Sequence, residues 1–328
     1  MVKKRVLSGM RPTGRLHLGH LHGTLSNWVK LQHDYDCFFF VADWHALTSE
    51  YENTGVIKDS IQDMVIDWLS AGINPEKSTL FVQSNILEHA ELHLVLSMIV
   101  PLSWLERNPT YKEQQEEMTA KDLTTYGFLG YPVLQAADII MYKASKVPVG
   151  KDQVPHLELT REIVRRFNHL YSNVFPEPEQ ILTEMSKVLG IDRRKMSKSY
   201  NNAIYLSESP EGIKDKVSQM ITDPQRKRRK DPGDPDVCNV FTFHTLYSSK
   251  DQISMVNEAC KKAGIGCVEC KELMTNNLTA FLLPYREKRE YYRAHGEKVT
   301  EILNRGTENA RTIARETMDE VRKAIHIR

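Results

Sequence analysis

The sequence contains few cysteines, no long apolar run and almost no net charge, and each of these absences excludes a class of protein. Only five of its 328 residues are cysteine, and an odd number argues against the disulfide framework of a small secreted domain. No apolar stretch reaches the roughly 18 residues that a membrane-spanning helix needs. The first residues, MVKKRVLSG, are basic but lack the apolar core of a signal peptide. We therefore expect a cytoplasmic protein without a membrane partner.

Charge gives no general reason to expect a nucleic-acid partner. The 44 lysines and arginines are balanced by 43 aspartates and glutamates, which leaves a formal net charge of +1. We expect no DNA partner, and an RNA partner would have to bind to a local basic patch. The strongest local basic block is residues 226–230, with the sequence RKRRK. It is either such a patch or a solvated loop.

Short apolar segments alternate with helical patterns through the first half of the chain. Residues 5–9, 37–43 and 79–84 have the length and apolar continuity of buried strands, and the apolar spacing over 57–69 is helical. Strands separated by helices pair in parallel, with helices on both faces of the sheet. The pattern predicts a doubly wound, parallel-sheet (Rossmann-like) α/β domain over residues 1–190.

The second half of the chain has a different pattern. Strand signals nearly vanish beyond Tyr205, and long helical stretches follow. Since a chain of this length is expected to form two domains, we predict a second, helical domain over residues 191–328.

The segment Gly14–His20, with the sequence GRLHLGH, lies between the first predicted strand and the first predicted helix; we call it the histidine motif. In a doubly wound sheet this is the carboxyl edge of a strand, where ligands bind. The start of a helix offers N–H groups to an anion, and Gly19 lets a planar base or ribose approach the backbone. His17 and His20 can donate hydrogen bonds to phosphate oxygens whose charge grows in a transition state. The alternative is one capping histidine and one surface histidine in a polar turn.

A second candidate, the sequence KMSKS at residues 195–199, follows about 175 residues after the first. Two lysines three residues apart, together with small hydroxyl residues, can form a mobile clamp for a polyphosphate. Taken alone, the pattern is also typical of a solvated basic turn. We call residues 193–201 the KMSKS loop.

In this order, the two motifs resemble the signatures of the class I aminoacyl-tRNA synthetases. The similarity to tryptophanyl-tRNA synthetases extends along nearly the whole chain. The matching segments are LSGMRPTGRLHLGH, VADWHALT, YPVLQAADII, VPVGKDQVPHLELTREIVRRF and RRKMSKS. The resemblance implies a tryptophan–tRNA ligase, which makes tryptophanyl-adenylate and pyrophosphate from L-tryptophan and ATP and then transfers tryptophan to the 3′ end of tRNA(Trp). It also implies a homodimer and Mg²⁺ on the ATP phosphates.

Asp138, in the segment YPVLQAADII, gives a physical reason for tryptophan. An indole N–H only donates, and a buried, ionised carboxylate only accepts. A pocket whose acceptor needs that donor rejects apolar analogues, because the acceptor would be left unpaired. The alternative is that Asp138 caps a helix. The residues that the resemblance assigns to tryptophan are Asp138, Tyr131, His45, Gln135 and Gln153.

The resemblance also assigns residues to ATP and to catalysis. The ATP contacts expected outside the KMSKS sequence are Arg11, Pro12, Thr13, Gly19, His20, Gly150, Lys151 and Asp152. Those expected within it are Lys195, Met196, Ser197, Lys198 and Ser199. The residues expected to act on the reacting phosphates are His17, His20, Lys195 and Lys198, with the two lysines on the leaving pyrophosphate.

Four cysteines, Cys238, Cys260, Cys267 and Cys270, lie within 33 residues. Zinc sites usually contain two pairs of cysteines spaced by two residues, whereas this segment has one such pair and two single cysteines. That pattern fits a four-thiolate iron–sulfur cluster at least as well. The resemblance points the same way, because a subset of bacterial tryptophanyl-tRNA synthetases has a [4Fe–4S] cluster with near-identical spacing. We expect this cluster, with zinc as the alternative, in what the resemblance makes the tRNA anticodon-binding domain.

Three other functions remain as alternatives. A tyrosine–tRNA ligase shares the class, but the Ala-Ala-Asp segment argues against it. A catalytically silent, synthetase-like RNA-binding protein is disfavoured because His20, Lys195 and Lys198 are all present. A small nucleotidyltransferase is disfavoured by the long helical region after the KMSKS loop.

Overall fold

The computed structural model describes residues 3–107, 123–150, 153–182 and 188–327. Its strands are β1 (Arg5–Met10), β2 (Asp36–Val41), β3 (Ser78–Val82), β4 (Lys146–Val149) and β5 (Glu179–Leu182). They form one five-stranded sheet in the order β3-β2-β1-β4-β5, and every neighbouring pair is parallel. The predicted doubly wound α/β fold is confirmed.

Helices surround the sheet, and they make up most of the described chain from Pro210 onward. The helices before residue 180 are α1 (Leu18–His20), α2 (Ser26–Asp34), α3 (Asp43–Glu50), α4 (Gly55–Ala71), α5 (Glu88–Ser97), α6 (Leu102–Glu106), α7 (Tyr126–Met141) and α8 (Val154–Leu170). Those after it are α9 (Pro210–Ser218), α10 (Asn239–Tyr247), α11 (Lys250–Lys261), α12 (Cys267–Ala294) and α13 (Gly296–Ala324). Within the described ranges, none of these helices has the length and apolar character needed to cross a membrane.

The sheet is buried because its central strands are apolar on both faces. Phe38 of β2 pairs with Leu7 of β1 on one side and with Thr79 of β3 on the other. The rings of Phe40 and Phe81 stack with their centroids 5.6 Å apart. Near-continuous apolar strands of this kind are typical of a parallel sheet covered by helices on both sides.

The chain folds into two compact units. The first is Met1–Gly14, Asn27–Glu184 and Ala294–Arg328, and the second is Arg15–Ser26 and Met185–Arg293. This division differs in two places from a single break at residue 190. The histidine motif from Arg15 onward joins the second unit, and helix α13 joins the first.

Backbone pairing explains why the histidine motif belongs to the second unit. The amide of Leu18 donates to the carbonyl of Ile204 at 3.0 Å, and the amide of Leu206 donates to the carbonyl of Leu16 at 2.9 Å. His17 and Tyr205 form an antiparallel bridge between these two bonds. The segment after β1 is therefore held by the segment after the KMSKS loop.

Close packing explains why α13 belongs to the first unit. A Cβ atom added at Gly306 would lie 1.9 Å from the carbonyl oxygen of Leu80 in β3. The side-chain amide of Asn309 donates to Thr79 Oγ1 at 2.6 Å. The residues of α13 that are fully buried in the core of the sheet are Ala310, Ala314, Met318 and Val321.

Candidate active site

Asp138 lies near the end of α7 and is the centre of a buried hydrogen-bond network in the first unit. Its side chain is 1% exposed. One oxygen, Oδ1, accepts from His89 Nδ1 at 2.6 Å and from Gln83 Nε2 at 2.8 Å. The other, Oδ2, accepts from His45 Nε2 at 2.8 Å and from the same Gln83 amide at 3.0 Å. Three side chains from different parts of the chain thus position this carboxylate.

The network keeps Asp138 ionised. Burial raises the pKa of Asp138, but the hydrogen bonds from His45 and His89 outweigh burial and bring the pKa down to about 2. Because the carboxylate only accepts, His89 must carry a proton on Nδ1. Its Nε2 lies 2.6 Å from the hydroxyl of Tyr142, whose pKa is raised by burial. The site therefore presents a fixed negative charge that accepts hydrogen bonds.

Tyr131 forms a second polar contact on the same helix, two turns before Asp138. Its hydroxyl lies 2.6 Å from His156 Nε2, and burial raises its pKa, so it stays protonated. The rings of Tyr131 and His45 approach edge to face, with centroids 6.5 Å apart. The structure thus brings together three of the residues assigned to tryptophan, namely Tyr131, His45 and Asp138.

The two glutamines assigned to tryptophan lie on the helices that carry these contacts. Gln135 is half-buried on α7, three residues before Asp138. Gln153 is the N-cap residue of α8, and its amide donates to the carbonyl of Gly150 at 3.0 Å. His156, the partner of Tyr131, follows one turn later on α8.

The ATP residues assigned to the first unit lie at the ends of two neighbouring strands. Arg11, Pro12 and Thr13 follow β1 directly, and Gly150 follows β4. β1 is flanked by β2 on one side and by β4 on the other, so this is the point at which the strand order reverses and where such sheets bind ligands. Lys151 and Asp152 lie outside the described residues.

In the second unit, His17 and His20 of the histidine motif form a capping box at the start of α1. His17 Nδ1 accepts from the amide of Gly19 at 3.1 Å, and His20 Nδ1 accepts from the amide of His17 at 3.2 Å. An amide N–H only donates, so neither Nδ1 carries a proton and each neutral ring carries its proton on Nε2. The two rings lie 3.9 Å apart. Both imidazoles can therefore donate to an anion from Nε2.

Lys198 links the histidine motif to the KMSKS loop electrostatically. Burial, and then the charge of Lys198, lower the pKa of His17 to about 4. Burial, His17 and Lys198 also lower the pKa of His20. Both rings are therefore neutral at pH 7, with a cation nearby, and a phosphate would meet two N–H donors and a positive charge.

Asn202 organises the KMSKS loop. Its Oδ1 accepts from the amide of Ser197 at 2.8 Å. Its Nδ2 donates to Asp192 Oδ1 at 2.7 Å and to the carbonyl of Lys195 at 3.2 Å. Met196 is buried, whereas the side chains of Lys195 and Ser199 are exposed. The loop thus combines a fixed backbone with accessible lysine and serine side chains.

The four clustered cysteines lie near one another in the second unit. Burial raises the pKa of Cys270 to about 12, and the thiols of Cys238, Cys260 and Cys267 each add to that rise. His244 Nε2 lies 3.4 Å from Cys270 Sγ. Nevertheless, no three histidine, cysteine or acidic side chains in the described part of the chain are placed to hold a metal ion.

Comparison with known proteins identifies the family. The family described as tRNA synthetases class I (W and Y) matches residues 2–283. A tryptophan–tRNA ligase of Thermotoga maritima is 53% identical over 325 residues, which cover 98% of this chain and 99% of that protein. One of Aquifex aeolicus is 43% identical over 393 residues, covering 98% and 100%. The chain belongs to the class I tryptophanyl-tRNA synthetases.

A solved structure agrees with this family. The crystal structure of the tryptophanyl-tRNA synthetase from Campylobacter jejuni, complexed with ADP and tryptophan, matches with a TM-score of 0.91 at 33% identity. The match covers 98% of this chain and 99% of that one. The resemblance inferred from the histidine and KMSKS motifs is thereby confirmed.

Several side chains of this synthetase site were not expected from the sequence. Gln83 follows a strand and His89 lies on α5, and both bind Asp138 from about 50 positions away in the chain. Asn202 lies next to the KMSKS sequence and was not assigned a role. A signal existed only for Gln83, because a polar residue directly after a buried parallel strand lies at the ligand-binding edge.

The basic block at residues 226–230 is only partly a free surface. The guanidinium of Arg226 donates to the carbonyl of Ile265 at 2.7 Å and lies 3.8 Å from Cys260 Sγ. Arg229 donates to the carbonyl of Ala263 at 2.8 Å. The exposed side chains of the block are Lys227, Arg228, Arg229 and Lys230. Two arginines of the block thus also bind backbone carbonyls of the second unit.

Proposed function

We propose that this chain is an ATP-dependent tryptophan–tRNA ligase. The observation that carries the proposal is the ionised, fully buried Asp138, held as an acceptor on a class I synthetase fold. An acceptor that cannot donate selects the indole N–H. The full-length similarity to tryptophan–tRNA ligases supports the same substrate.

Activation needs no nucleophile from the protein. The carboxylate of tryptophan attacks the α-phosphate of ATP, and the bond to the β-phosphate breaks to release pyrophosphate. His17 and His20 donate from Nε2 to phosphate oxygens, and Lys195 and Lys198 neutralise the leaving pyrophosphate. The protein thus acts mainly by positioning and by stabilising charge. Mg²⁺ accompanies the phosphates and needs few protein ligands.

The second step joins the amino acid to tRNA. A ribose hydroxyl at the 3′ end of tRNA(Trp) attacks the adenylate carbonyl, and AMP leaves. We infer that the helical region, residues 191–328, binds the anticodon arm. Its exposed basic side chains Lys227, Arg228 and Lys230 support this role, since phosphate contacts come mainly from lysine and arginine.

Amino-acid-dependent ATP–pyrophosphate exchange tests the ligase function. We expect exchange with tryptophan and none with tyrosine. An Asp138→Asn variant should lose at least about tenfold in kcat/KM for tryptophan, because the amide can turn a donor towards the indole N–H. Exchange with tyrosine would replace tryptophan with the tyrosine alternative. No exchange with either amino acid would favour the RNA-binding alternative.

We also propose that the four clustered cysteines hold a [4Fe–4S] cluster. The thiols of Cys238, Cys260 and Cys267 lie close enough to Cys270 to raise its pKa, and the four together form a suitable donor set. One pair of cysteines spaced by two residues, with two single cysteines, fits a four-thiolate iron–sulfur cluster at least as well as zinc, whose sites usually contain two such pairs. The role of the cluster would be to join the segments that carry the four cysteines.

Anaerobic purification tests the cluster. We expect visible charge-transfer absorbance and bound iron and sulfide, both lost in Cys267→Ser. The matched control is Cys37→Ala, since Cys37 is the fifth cysteine and is buried in β2. Colourless wild-type protein with stoichiometric zinc would contradict the iron proposal.

A homodimer in the cytoplasm completes the proposal. Four apolar side chains along α5 and its flanks are exposed by more than half, namely Leu87, Leu94, Met98 and Leu102. Spacings of seven and four residues place Leu87, Leu94 and Met98 along one side of α5, and Leu102 begins the next helix, α6. Contiguous exposed apolar surface marks an interaction site. We infer that a second copy covers this stripe.

A further inference from the structure

Gln83 is the first residue after β3 and is completely buried. Its Nε2 donates to both carboxylate oxygens of Asp138, at 2.8 and 3.0 Å. The orientation of this amide is determined by chemistry, since turning it over would place Oε1 against a carboxylate. The amide nitrogen therefore faces Asp138, and Oε1 faces elsewhere in the same buried space.

Gln83 Oε1 has no hydrogen-bond partner among the described residues. The oxygens of Asp138, by contrast, already receive hydrogen bonds from three side chains. A carboxylate has about four acceptor positions, so the three donors leave about one of them for the indole N–H. A buried acceptor without a donor is unfavourable, and nearly all such groups in native proteins find one.

A ligand that brings a donor to this place satisfies Gln83. Oε1 belongs to the same amide group that touches Asp138, so it lies next to the carboxylate that we assign to the indole N–H. We propose that Gln83 is a specificity-determining residue whose Oε1 accepts a hydrogen bond from the indole N–H of tryptophan beside Asp138. This inference rests on the proposed tryptophan–tRNA ligase function.

The proposal predicts a double role for Gln83. Its Nε2 positions Asp138, and its Oε1 accepts a hydrogen bond from the substrate. A ligand without the N–H leaves the buried Oε1 without a hydrogen-bond donor. The free-energy cost of that unpaired acceptor weakens the binding of such a ligand. Removal of Oε1 should therefore reduce discrimination, and not only activity.

The test compares tryptophan with its benzothiophene analogue, in which sulfur replaces the indole N–H, in ATP–pyrophosphate exchange. The variant is Gln83→Met, which removes both polar atoms and keeps the length of the side chain. We expect the ratio of kcat/KM for tryptophan to that for the analogue to fall at least about tenfold, mainly through a higher KM for tryptophan. The ratio is independent of the fraction of folded enzyme, because both substrates are measured on the same preparation.

His89→Phe is the matched control. His89 also donates to Asp138 from a fully buried position, but it has no unpaired acceptor. A purely structural role of Gln83, acting through Asp138, would lower the ratio equally in both variants, and that result overturns the proposal. We expect the ratio to fall at least about threefold further in Gln83→Met than in His89→Phe.

The outcomes separate this inference from the proposed function. An unchanged ratio in Gln83→Met, with tryptophan-dependent exchange by the wild type, overturns the role of Gln83 alone. A wild-type protein that shows no tryptophan-dependent exchange overturns the proposed function and this inference with it.

Discussion

Single residues determine the geometry of the KMSKS loop, and Asn202 is one of them. It is 1% exposed, and its side-chain amide binds the backbone of the loop and the side chain of Asp192, the residue just before it. Gly190 lies against it, so that an added Cβ would stand 2.3 Å from Asn202 Cγ. The backbone that presents Lys195 and Lys198 therefore depends on the side chain of a buried residue that follows the KMSKS sequence.

A Gly190→Ala substitution should disturb this arrangement. The new methyl group displaces the Asn202 side chain and breaks its bond to Ser197, so the lysines lose their register. We expect a loss of about 10²-fold in kcat for ATP–pyrophosphate exchange, the scale associated with small misplacements of catalytic groups. The matched control is Gly127→Ala, where an added Cβ meets nothing within 4 Å. Exchange by Gly190→Ala within about twofold of wild type would contradict this account.

The pKa of His17 predicts a dependence of stability on pH. Because the folded pKa of about 4 lies below the ordinary value of 6.5, the unfolded chain binds more protons between these two values. The free energy of unfolding should therefore fall as the pH drops from 6.5 to 4, by up to about 3 kcal/mol from this group.

Thermal unfolding at pH 7, 6 and 5 measures this effect. The decrease in Tm between pH 7 and pH 5 should be smaller in His17→Asn than in the wild type, because one titrating group has been removed. His20 still titrates in the variant, so part of the decrease remains. Equal decreases in the two proteins would contradict the assignment to His17.

Residue types and short spacings were sufficient to find the histidine motif and the KMSKS sequence, and the family resemblance that these motifs carry was sufficient to find Asp138. They were not sufficient to find Gln83 and His89, whose roles depend on contacts with a residue 55 and 49 positions away. Such partners become visible only when strands and helices are placed in space. A glutamine and a histidine are otherwise ordinary residues at a strand end and on a helix.

At the scale of elements, the helix after the histidine motif is interrupted. Residues Leu21–Leu25 form a π-helical turn between α1 and α2. His22, within this turn, lies 2.9 Å from the hydroxyl of Tyr247 on α10. π-Helical turns are frequent at functional sites, and here the turn directly follows His20.

Two strands were not predicted, because their own sequences lack the pattern of a buried strand. β4 and β5 are four residues each, and β5 is largely exposed. Their sequences, KVPV and EQIL, lack the apolar continuity of β1, β2 and β3, and proline is unusual within a strand. They were identifiable only through their parallel pairing with the rest of the sheet.

Helix α13 provides a test of packing between elements. Gly306→Ala would place a methyl group against the backbone of β3, which cannot move aside as a side chain can. We expect a loss of about 2 kcal/mol in the free energy of unfolding, the usual cost of overpacking. Gly296→Ala is the control on the same helix, because its new methyl group meets only the end of the Gln62 side chain. Urea denaturation compares the two, and equal stabilities would contradict the close packing.

At the scale of the whole molecule, the proposed dimer can be tested through its apolar stripe. We expect a wild-type mass of two chains by light scattering, and a single chain for Leu94→Glu combined with Met98→Glu, since two charges would be buried without partners. Leu170→Glu, at another exposed leucine, should leave the mass unchanged. If the double variant remains a dimer, the interface lies on another surface and this proposal is wrong.

The sequence predicts two domains, but it does not predict how the chain is shared between them. Segment Arg15–Ser26 belongs to the second unit although β1 directly precedes it. Segment Ala294–Arg328 belongs to the unit of the sheet although it follows the second unit in the chain. Both exchanges depend on pairing between distant segments, such as Leu18 with Ile204 and Gly306 with Leu80. A change of composition along the chain gives no indication of either of these pairings.

The return of α13 to the sheet has a consequence for synthesis on the ribosome. Gly306 is translated 226 residues after Leu80, against which it packs. At about 5–20 residues per second, this interval lasts roughly 10–45 s. Throughout it, β3 and the apolar surface that later packs against Ala310 and Met318 stay uncovered on the nascent chain. The first half of the protein cannot complete its own core as it emerges, and the growing chain is an expected client for chaperones that shield apolar surface.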